Sequence, residues 1–472
     1  MFSPRYADTL VYMLQSTEYR VLPYLRWYWR TEDFRQVTHR RQLDRTQTAR
    51  LLLLVARLGI WIQVAGGLLL FATAYITQLP ALYWFAAVAV LSTPIVWAHL
   101  IILPMLIGRV LLVNPRQKRL IGKSRAIFRN HPAITIAIAG SYGKTSLKEI
   151  LLTVLSEGKK VAATPANRNV ASSHAQFAAS LTGQEDILIV EYGEGKPGDV
   201  QRFAETTQPK LGIITGLAPA HLDQYPTLQA AGEDIFALAA YLEDQGVYVN
   251  GESLALKPFI KTAHEIYGSQ GVAGWKVKNV KVDYGGISFE MSKASQQIKL
   301  HSKLIGRHQV GPLALAAALS LKLGLSQQQV TKGIAKTAPF VHRMQPRYVN
   351  GAWIIDDTYN GNIEGIRAGL QLLQDLPARH KTYVTPGLVD QGEETTKVHR
   401  LIGQLIAEAQ PDRVVLMKNS VTDLIKRGLD EHHYKGELRI EADPLNFYTN
   451  IDQFLAHGDL VVMQNDWPDN YN

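Results

Sequence analysis

The chain has no cysteine, which removes disulfides and thiolate metal sites and fits a reducing compartment. Lysine is missing from residues 1–50, where nine arginines and one histidine face five acids. Between Arg57 and Arg109 no Asp, Glu, Lys or Arg occurs at all. No internal repeat or low-complexity tract is found. No G-x-G-x-x-G follows a strand and no Ser/His/Asp signature is present, which leaves a dehydrogenase or a hydrolase without a motif. What remains is a 472-residue chain with net charge +9, long enough for two or three domains.

The uncharged region explains the basic flanks better than nucleic acid does. Leu58–Ile76 and Ala81 to about Leu103 are apolar runs joined by the short turn Thr77–Pro80. Each is long enough to cross ~30 Å of hydrocarbon as a helix. Arg50 and Arg57 precede the pair, and Arg109, Arg116, Lys118 and Arg119 follow it. The positive-inside rule then predicts a transmembrane helical hairpin with both ends in the cytoplasm, and a lipid bilayer as partner. The first run lies too far from Met1 for a cleaved signal peptide. The stretch Tyr19–Arg30, rich in arginine and aromatics, reads either as an interfacial segment or as a docking surface for a partner protein.

The chemistry centres on Ala133–Glu149. A buried strand ending at Ala139 runs into the turn Gly140-Ser141-Tyr142-Gly143, and Lys144-Thr145-Ser146 opens a helix. Strand, glycine turn and helix N-terminus together hold phosphate. Backbone N–H groups and the helix dipole face the anion, a lysine reaches the outer phosphates, and a hydroxyl takes the metal. Ile138 stands where the longer P-loop pattern has its first glycine, so the motif here is the shorter G-x-x-G-K-T-S. From Ile134 onward strand-like and helical stretches alternate, as in a parallel sheet covered by helices. Strands are predicted at 134–139, 187–191, 211–215, 413–417 and 459–464. Residues 280–305 alternate in the strand manner, with a turn at Gly285-Gly286.

The short phosphate motif and the segments after it resemble the Mur ligases, ATP-dependent amide-bond-forming enzymes of peptidoglycan precursor synthesis. The resemblance runs from about Phe128 to the C-terminus. It implies domains at 1–127 (basic segment and hairpin), 128–338 (central P-loop ATPase-like domain with a parallel sheet) and 339–472 (Rossmann-like α/β domain). It further implies ATP and Mg2+ as cofactors, with Gly140, Ser141, Gly143, Lys144, Thr145 and Ser146 around the phosphates. Thr164–Asn169 resembles an asparagine-rich loop and brings in Asn167. Glu191, ending a buried strand, and His221 of the H-L-D-x-Y segment match magnesium ligands beside Thr145. His342-Arg343-Met344-Gln345 resembles a linker whose Arg343 meets phosphate. Asp356-Asp357-Thr-Tyr359-Asn360-Gly-Asn362 resembles D-D-S-Y-N-A-N-P, a loop that meets nucleotide and incoming amine. Lys144, His221 and Asp357 carry the catalytic expectation, with Asp356 and Asn360 at the nucleotide.

Three departures stand out. Gly232 occupies the place of a lysine that the family carbamylates to hold a second magnesium. Either that metal is lost, or Glu233 or Asp234 supplies a carboxylate directly, Glu233 being expected in the first turn of a helix. Gln309 and Pro312 replace two asparagines, and the 465–471 tail replaces the family's K-G-S-R. The implied activity joins a peptide-bearing carboxylate acceptor, nucleotide- or lipid-linked, to an amino acid or dipeptide amine through an acyl phosphate, at the inner face of the cytoplasmic membrane. No nucleic acid is involved. The alternatives are a membrane-bound poly-γ-glutamate synthase-type ligase, a nucleotide-driven transporter or scaffold, and a non-catalytic nucleotide-binding partner.

Overall fold

The computed structural model describes residues 5–17, 19–31, 34, 43–166, 168–218, 225, 227–359, 361–388 and 391–465. The chain divides into two compact units, Met1–Arg119 and Leu120–Asn472, with the division inside the helix Asn114–Asn130.

The first unit is helical. Thr46 caps the helix Gln47–Thr77 by accepting from the Ala49 N–H at 3.2 Å. That helix ends at Gln78, in the left-handed conformation, and Pro80 opens the return helix Pro80–Leu91. The return continues through Thr93–Leu100 and Ile102–Gly108, interrupted near Pro94 and Pro104, which have no N–H to continue the ladder. Gln63 joins the two arms: its Nε2 donates to the Ala89 carbonyl at 2.8 Å, and its Oε1 accepts from Trp97 Nε1 at 2.9 Å.

Two short helices, Tyr6–Ser16 and Val21–Arg30, pack on this hairpin. Tyr6 donates to the Pro94 carbonyl at 2.7 Å and Tyr24 to the Ala98 carbonyl at 2.9 Å. The Tyr19–Arg30 stretch, read from sequence as an interfacial segment or a docking surface, is therefore partly turned inward. Tyr24 and Tyr28 are buried in a helical core, and Leu22 and Trp29 remain exposed.

The second unit holds two sheets. Strands of the first are β1 Ile134–Ala139, β2 Val161–Ala163, β3 Ile187–Glu191, β4 Leu211–Ile214, β5 Val247–Asn250, β6 Glu265–Gly268, β7 Gly271–Val272, β8 Trp275–Asp283, β9 Gly286–Lys293 and β10 Gln296–Ser302. Their spatial order is β10-β9-β8-β7-β6-β5-β4-β1-β3-β2. The run β2 to β6 is parallel, whereas β6 to β10 pair antiparallel. The parallel sheet expected for this domain is present as β2 to β6, and the alternating 280–305 segment extends it with antiparallel strands. Hairpin turns such as Asp283–Gly286 are too short for the crossover that parallel pairing needs.

Side chains alternate along β1. Ile136 and Ile138 enter a core with the helices Lys144–Leu155 and Val310–Lys322, while Ala137 and Ala139 enter another with Asp199–Thr207 and Leu228–Tyr241. Because β1 lies between β3 and β4, the loops after all three strands open onto one crevice, where open α/β sheets place ligands.

The second sheet contains β11 Gln345–Val349, β12 Ala352–Asp357, β13 Lys381–Thr385, β14 Arg413–Met417, β15 Glu437–Glu441 and β16 Leu460–Gln464, ordered β11-β12-β16-β13-β14-β15. The last strand thus enters the middle of the sheet, with Gln464 in register with Asp357.

Tyr284, at the β8–β9 turn, ties the two sheets together. Its ring stacks on Trp353 at 4.5 Å and its hydroxyl donates to the Pro377 carbonyl at 2.6 Å. Arg307 pairs with Asp375 at 2.9 Å beside it. Tyr284→Ala should destabilise this junction by about 2 kcal/mol. Limited proteolysis would register that as faster cleavage in the 338–343 linker, and an unchanged cleavage rate would refute the tie.

Candidate active site

The phosphate loop is shaped by its neighbours. Gly140 has φ +140° and Gly143 φ +78°, conformations that side-chain-bearing residues rarely adopt. A Cβ at Gly140 would also lie 2.3 Å from Thr215 Oγ1. The loop is fastened to the end of β4: Ser141 N–H donates to the Gly216 carbonyl at 2.8 Å, and Thr215 Oγ1 donates to the Tyr142 carbonyl at 2.5 Å. The Tyr142 hydroxyl is pushed up to about 12 by burial, with the charges of Glu364 and Glu252 adding to the shift against a Ser253 hydrogen bond. The charge of Glu364, in the first turn of the helix after the 356–362 loop, therefore reaches the phosphate loop.

The first helical hydrogen bond here is Leu147 N–H to the Gly143 carbonyl at 3.0 Å. The N–H groups of Lys144, Thr145 and Ser146 precede it and have no helical acceptor. That cradle fits an anion.

Glu191 lies at the end of β3, 1% exposed. Its Oε1 accepts from Thr145 Oγ1 at 3.0 Å and from Asn169 Nδ2 at 3.3 Å. Its Oε2 is 3.2 Å from the ammonium of Lys148, which is itself completely buried and also donates to the Ala166 carbonyl. His174 Nε2 donates to the Glu191 carbonyl at 2.8 Å, and burial pushes this imidazole down to about 4, so it is neutral. Lys144 folds back to donate to the Gly140 carbonyl and pairs with Glu194 at 3.5 Å. A hydroxyl and a buried carboxylate in contact beside three free N–H groups are a fitting donor set for magnesium on a phosphate chain.

The sequence pointed to Lys144, Thr145 and Glu191 but missed Lys148, His174 and Glu194. Lys148 is one helical turn beyond Lys144, and that spacing was the available signal. His221, Asn167 and Asn360 lie outside the described residues.

Around Gly232 the structure is specific. A Cβ there would fall 2.3 Å from the Phe259 ring, so any side chain must displace a packed aromatic. The helix begins at Leu228, capped by Thr227, which puts Glu233 in the second turn and corrects the expected first-turn position. Glu233 is exposed and accepts from Gln229 Nε2 at 3.0 Å, and no described contact joins it to Thr145 or Glu191. Asp234 is buried with both oxygens engaged, one by Gly198 N–H at 2.6 Å and the other by Tyr225 hydroxyl at 2.8 Å.

The acidic loop of the second sheet is equally constrained. Asp356 Oδ2 meets His342 Nδ1 at 2.9 Å, and its Oδ1 accepts from the Thr358 hydroxyl at 2.8 Å. Asn362 caps the following helix, its Oδ1 accepting from Gly365 N–H at 2.9 Å. The Arg343 guanidinium sits over the Tyr359 ring, 4.6 Å from its centroid. Asp357 Oδ1 accepts from Met344 N–H at 3.1 Å and its Oδ2 from Gln464 Nε2 at 2.7 Å. Tyr383 fixes the orientation of that amide by donating to Gln464 Oε1 at 2.9 Å.

Residues 138–320 match the Mur ligase middle domain family. The UDP-N-acetylmuramoyl-tripeptide–D-alanyl-D-alanine ligase of Escherichia coli is 25% identical over 340 residues, covering 70% of this chain and 73% of that protein. The ligase of the same name from Mycobacterium leprae is 28% identical over 363 residues, 70% of each chain. The crystal structure of MurF ligase from Thermotoga maritima in complex with ADP superposes with a TM-score of 0.63 at 20% identity, covering 74% of this chain and 80% of that one. Phosphate loop, fold and family match agree on a class: residues 138–320 form a Mur ligase middle domain, and the chain is similar to ligases of that kind. Within that class it is most like the MurF type.

Burial pushes Asp357 up to about 6, against the opposing hydrogen bonds and the charge of Arg343. A carboxyl raised in the native state holds its proton longer there than in the unfolded chain. Its contribution to stability is therefore full below about pH 4 and lost as pH rises towards about 6. Denaturation of wild type and Asp357→Asn across that window should show the wild type losing on the order of 2 kcal/mol relative to the variant. A difference that does not change with pH would overturn this.

Proposed function

We propose that the chain joins a peptide-bearing carboxylate to an amine at the cytoplasmic face of a membrane, in peptidoglycan precursor synthesis. The observation that carries the reading is the contact of Thr145 with buried Glu191 at the mouth of a glycine turn that also holds Lys144. Lys144 turns from the Gly140 carbonyl to the outer phosphates as a point charge. The N–H groups of residues 144–146 orient the phosphate chain. Thr145 and Glu191 would hold magnesium, joined by His221 on the strength of its motif, and the ion would neutralise phosphate charge. Lys148 and Asn169 keep the Glu191 carboxylate aimed. The acceptor carboxylate attacks the γ-phosphorus, giving an acyl phosphate and ADP, and the amine then displaces phosphate. The protein's share in this is mainly positioning and charge neutralisation. Arg343, Asp356 and Asp357, with Asn167 and Asn360 from their motifs, complete the nucleotide and amine side.

The relatives are named for UDP-N-acetylmuramoyl-tripeptide and D-alanyl-D-alanine, and that pair is the first to try as acceptor and amine. Lys144→Ala should reduce acceptor-dependent phosphate release by about 100-fold or more while the melting temperature stays put. ATP turnover at the wild-type rate would remove the basis of the reading.

The membrane part rests on exposure. The apolar windows of Gln47–Thr77 and of Thr93–Asn130 are only 28% and 24% buried, unlike core helices of a soluble domain. Trp61, Ile62, Leu68, Leu69, Trp84 and Phe85 point outward from the helical unit. Lipid is the solvent that accepts such a surface. Gln78 in the turn and Lys123 beyond the second run are both exposed. In a chain without native cysteine, Gln78→Cys should label with an impermeant thiol reagent in intact cells and Lys123→Cys should not. The opposite pattern, or extraction of the protein by salt, would refute the hairpin.

A further inference from the structure

Glu194 lies three residues beyond Glu191, on the stretch between β3 and the helix Asp199–Thr207. Its side chain is 6% exposed. Oε1 is 3.5 Å from Lys144 Nζ, and Oε2 is buried with no hydrogen-bond partner. A buried carboxylate oxygen left unpaired is unfavourable and rarely persists without a reason. The strain grows when the nucleotide binds, because Lys144, its one described cation, is then drawn to phosphate. Glu194 would be left buried beside a polyphosphate with no cation facing it. A second cation at that spot would take the place that Lys144 leaves.

The neighbouring acids do not offer the same thing. Gly232 has no side chain and no room for one against Phe259. Both oxygens of Asp234 are engaged. Glu233 is exposed and paired with Gln229. Glu191 Oε1 accepts from Thr145 and Asn169, and its Oε2, without a hydrogen-bond partner, faces the buried Lys148 ammonium at 3.2 Å instead of Lys144. Among the described residues, Glu194 is the buried acid that reaches Lys144 with an oxygen still free.

We propose that Glu194 Oε2 is a direct ligand of a second divalent cation on the phosphate chain, supplying without modification the carboxylate that position 232 lacks. This rests on the nucleotide site described above. It assigns Glu194 a function that neither the phosphate loop nor the Thr145–Glu191 pair provides.

The test is Mn2+ binding by the purified full-length protein, counted by electron paramagnetic resonance with a non-hydrolysable ATP analogue, beside analogue affinity measured in the absence of metal. Wild type should bind two Mn2+ and Glu194→Gln one, the lost site weakened at least about tenfold. Glu194→Asp, which keeps a carboxylate one methylene shorter, should recover part of the second site. Metal-free analogue affinity should be retained or rise in Glu194→Gln, because a carboxylate beside the polyphosphate is removed, and that binding also shows that the variant is folded. Two sites of unchanged affinity in Glu194→Gln, or a single site in wild type, overturns the inference and leaves the nucleotide site standing. Tighter analogue binding with unchanged Mn2+ stoichiometry also overturns it, since Glu194 would then be only a counter-ion for Lys144. Failure of wild type to bind the analogue would bring down the nucleotide site itself.

Discussion

The carboxylate of Glu191 is the point on which the nucleotide-binding half of the molecule depends. It ends a buried strand, meets the first turn of the phosphate-loop helix through Thr145 and its second turn through Lys148, and gathers Asn169 from the loop after β2. Strand, helix and loop are thereby fixed to one another at the place where a polyphosphate must lie. A buried ion pair such as Lys148–Glu191 adds little net stability, because desolvation of both charges offsets their attraction. What it supplies is geometry: neither charge can leave without stranding the other, so the carboxylate stays aimed at Thr145.

The second sheet solves a similar problem with neutral groups. Asp357 is held by an amide and a backbone N–H, and the amide is itself oriented by Tyr383. This arrangement exists because the last strand of the chain inserts beside β12 and brings Gln464 into register with Asp357. The acidic loop after β12 is therefore set by residues more than a hundred positions apart. The Tyr284–Trp353 stack joins this sheet to the first one, and the charge of Glu364 is felt by the Tyr142 hydroxyl. The two halves of the site are thus linked in space as well as in sequence order.

Local pattern was enough for much of the fold. β1, β3 and β14 have the bounds predicted for them, since a strand covered on both faces shows as a near-continuous apolar run. The helical hairpin turns at Gln78–Pro80 as its composition requires. The antiparallel half of the first sheet was legible as strands, but their pairing was not, because alternation specifies a face and leaves the neighbour open. The inward turn of Tyr24 and Tyr28 was hidden for a related reason. An amphipathic helix advertises an apolar side without saying whether lipid or protein covers it.

The sequence by itself determined the phosphate cradle, since a glycine turn between a buried strand and a helix leaves backbone N–H groups with no other acceptor. It likewise determined the uncharged hairpin, which follows from composition alone. Tertiary structure decided which acids and cations serve that cradle. Glu191, Glu233 and Asp234 are equally ionisable on paper, yet burial and hydrogen bonding commit Asp234 to Tyr225 and Gly198, leave Glu233 outside with Gln229, and place Glu191 against Thr145. The pairing of Lys148 with Glu191 and the free oxygen of Glu194 depend on distances across strands, which no local pattern encodes.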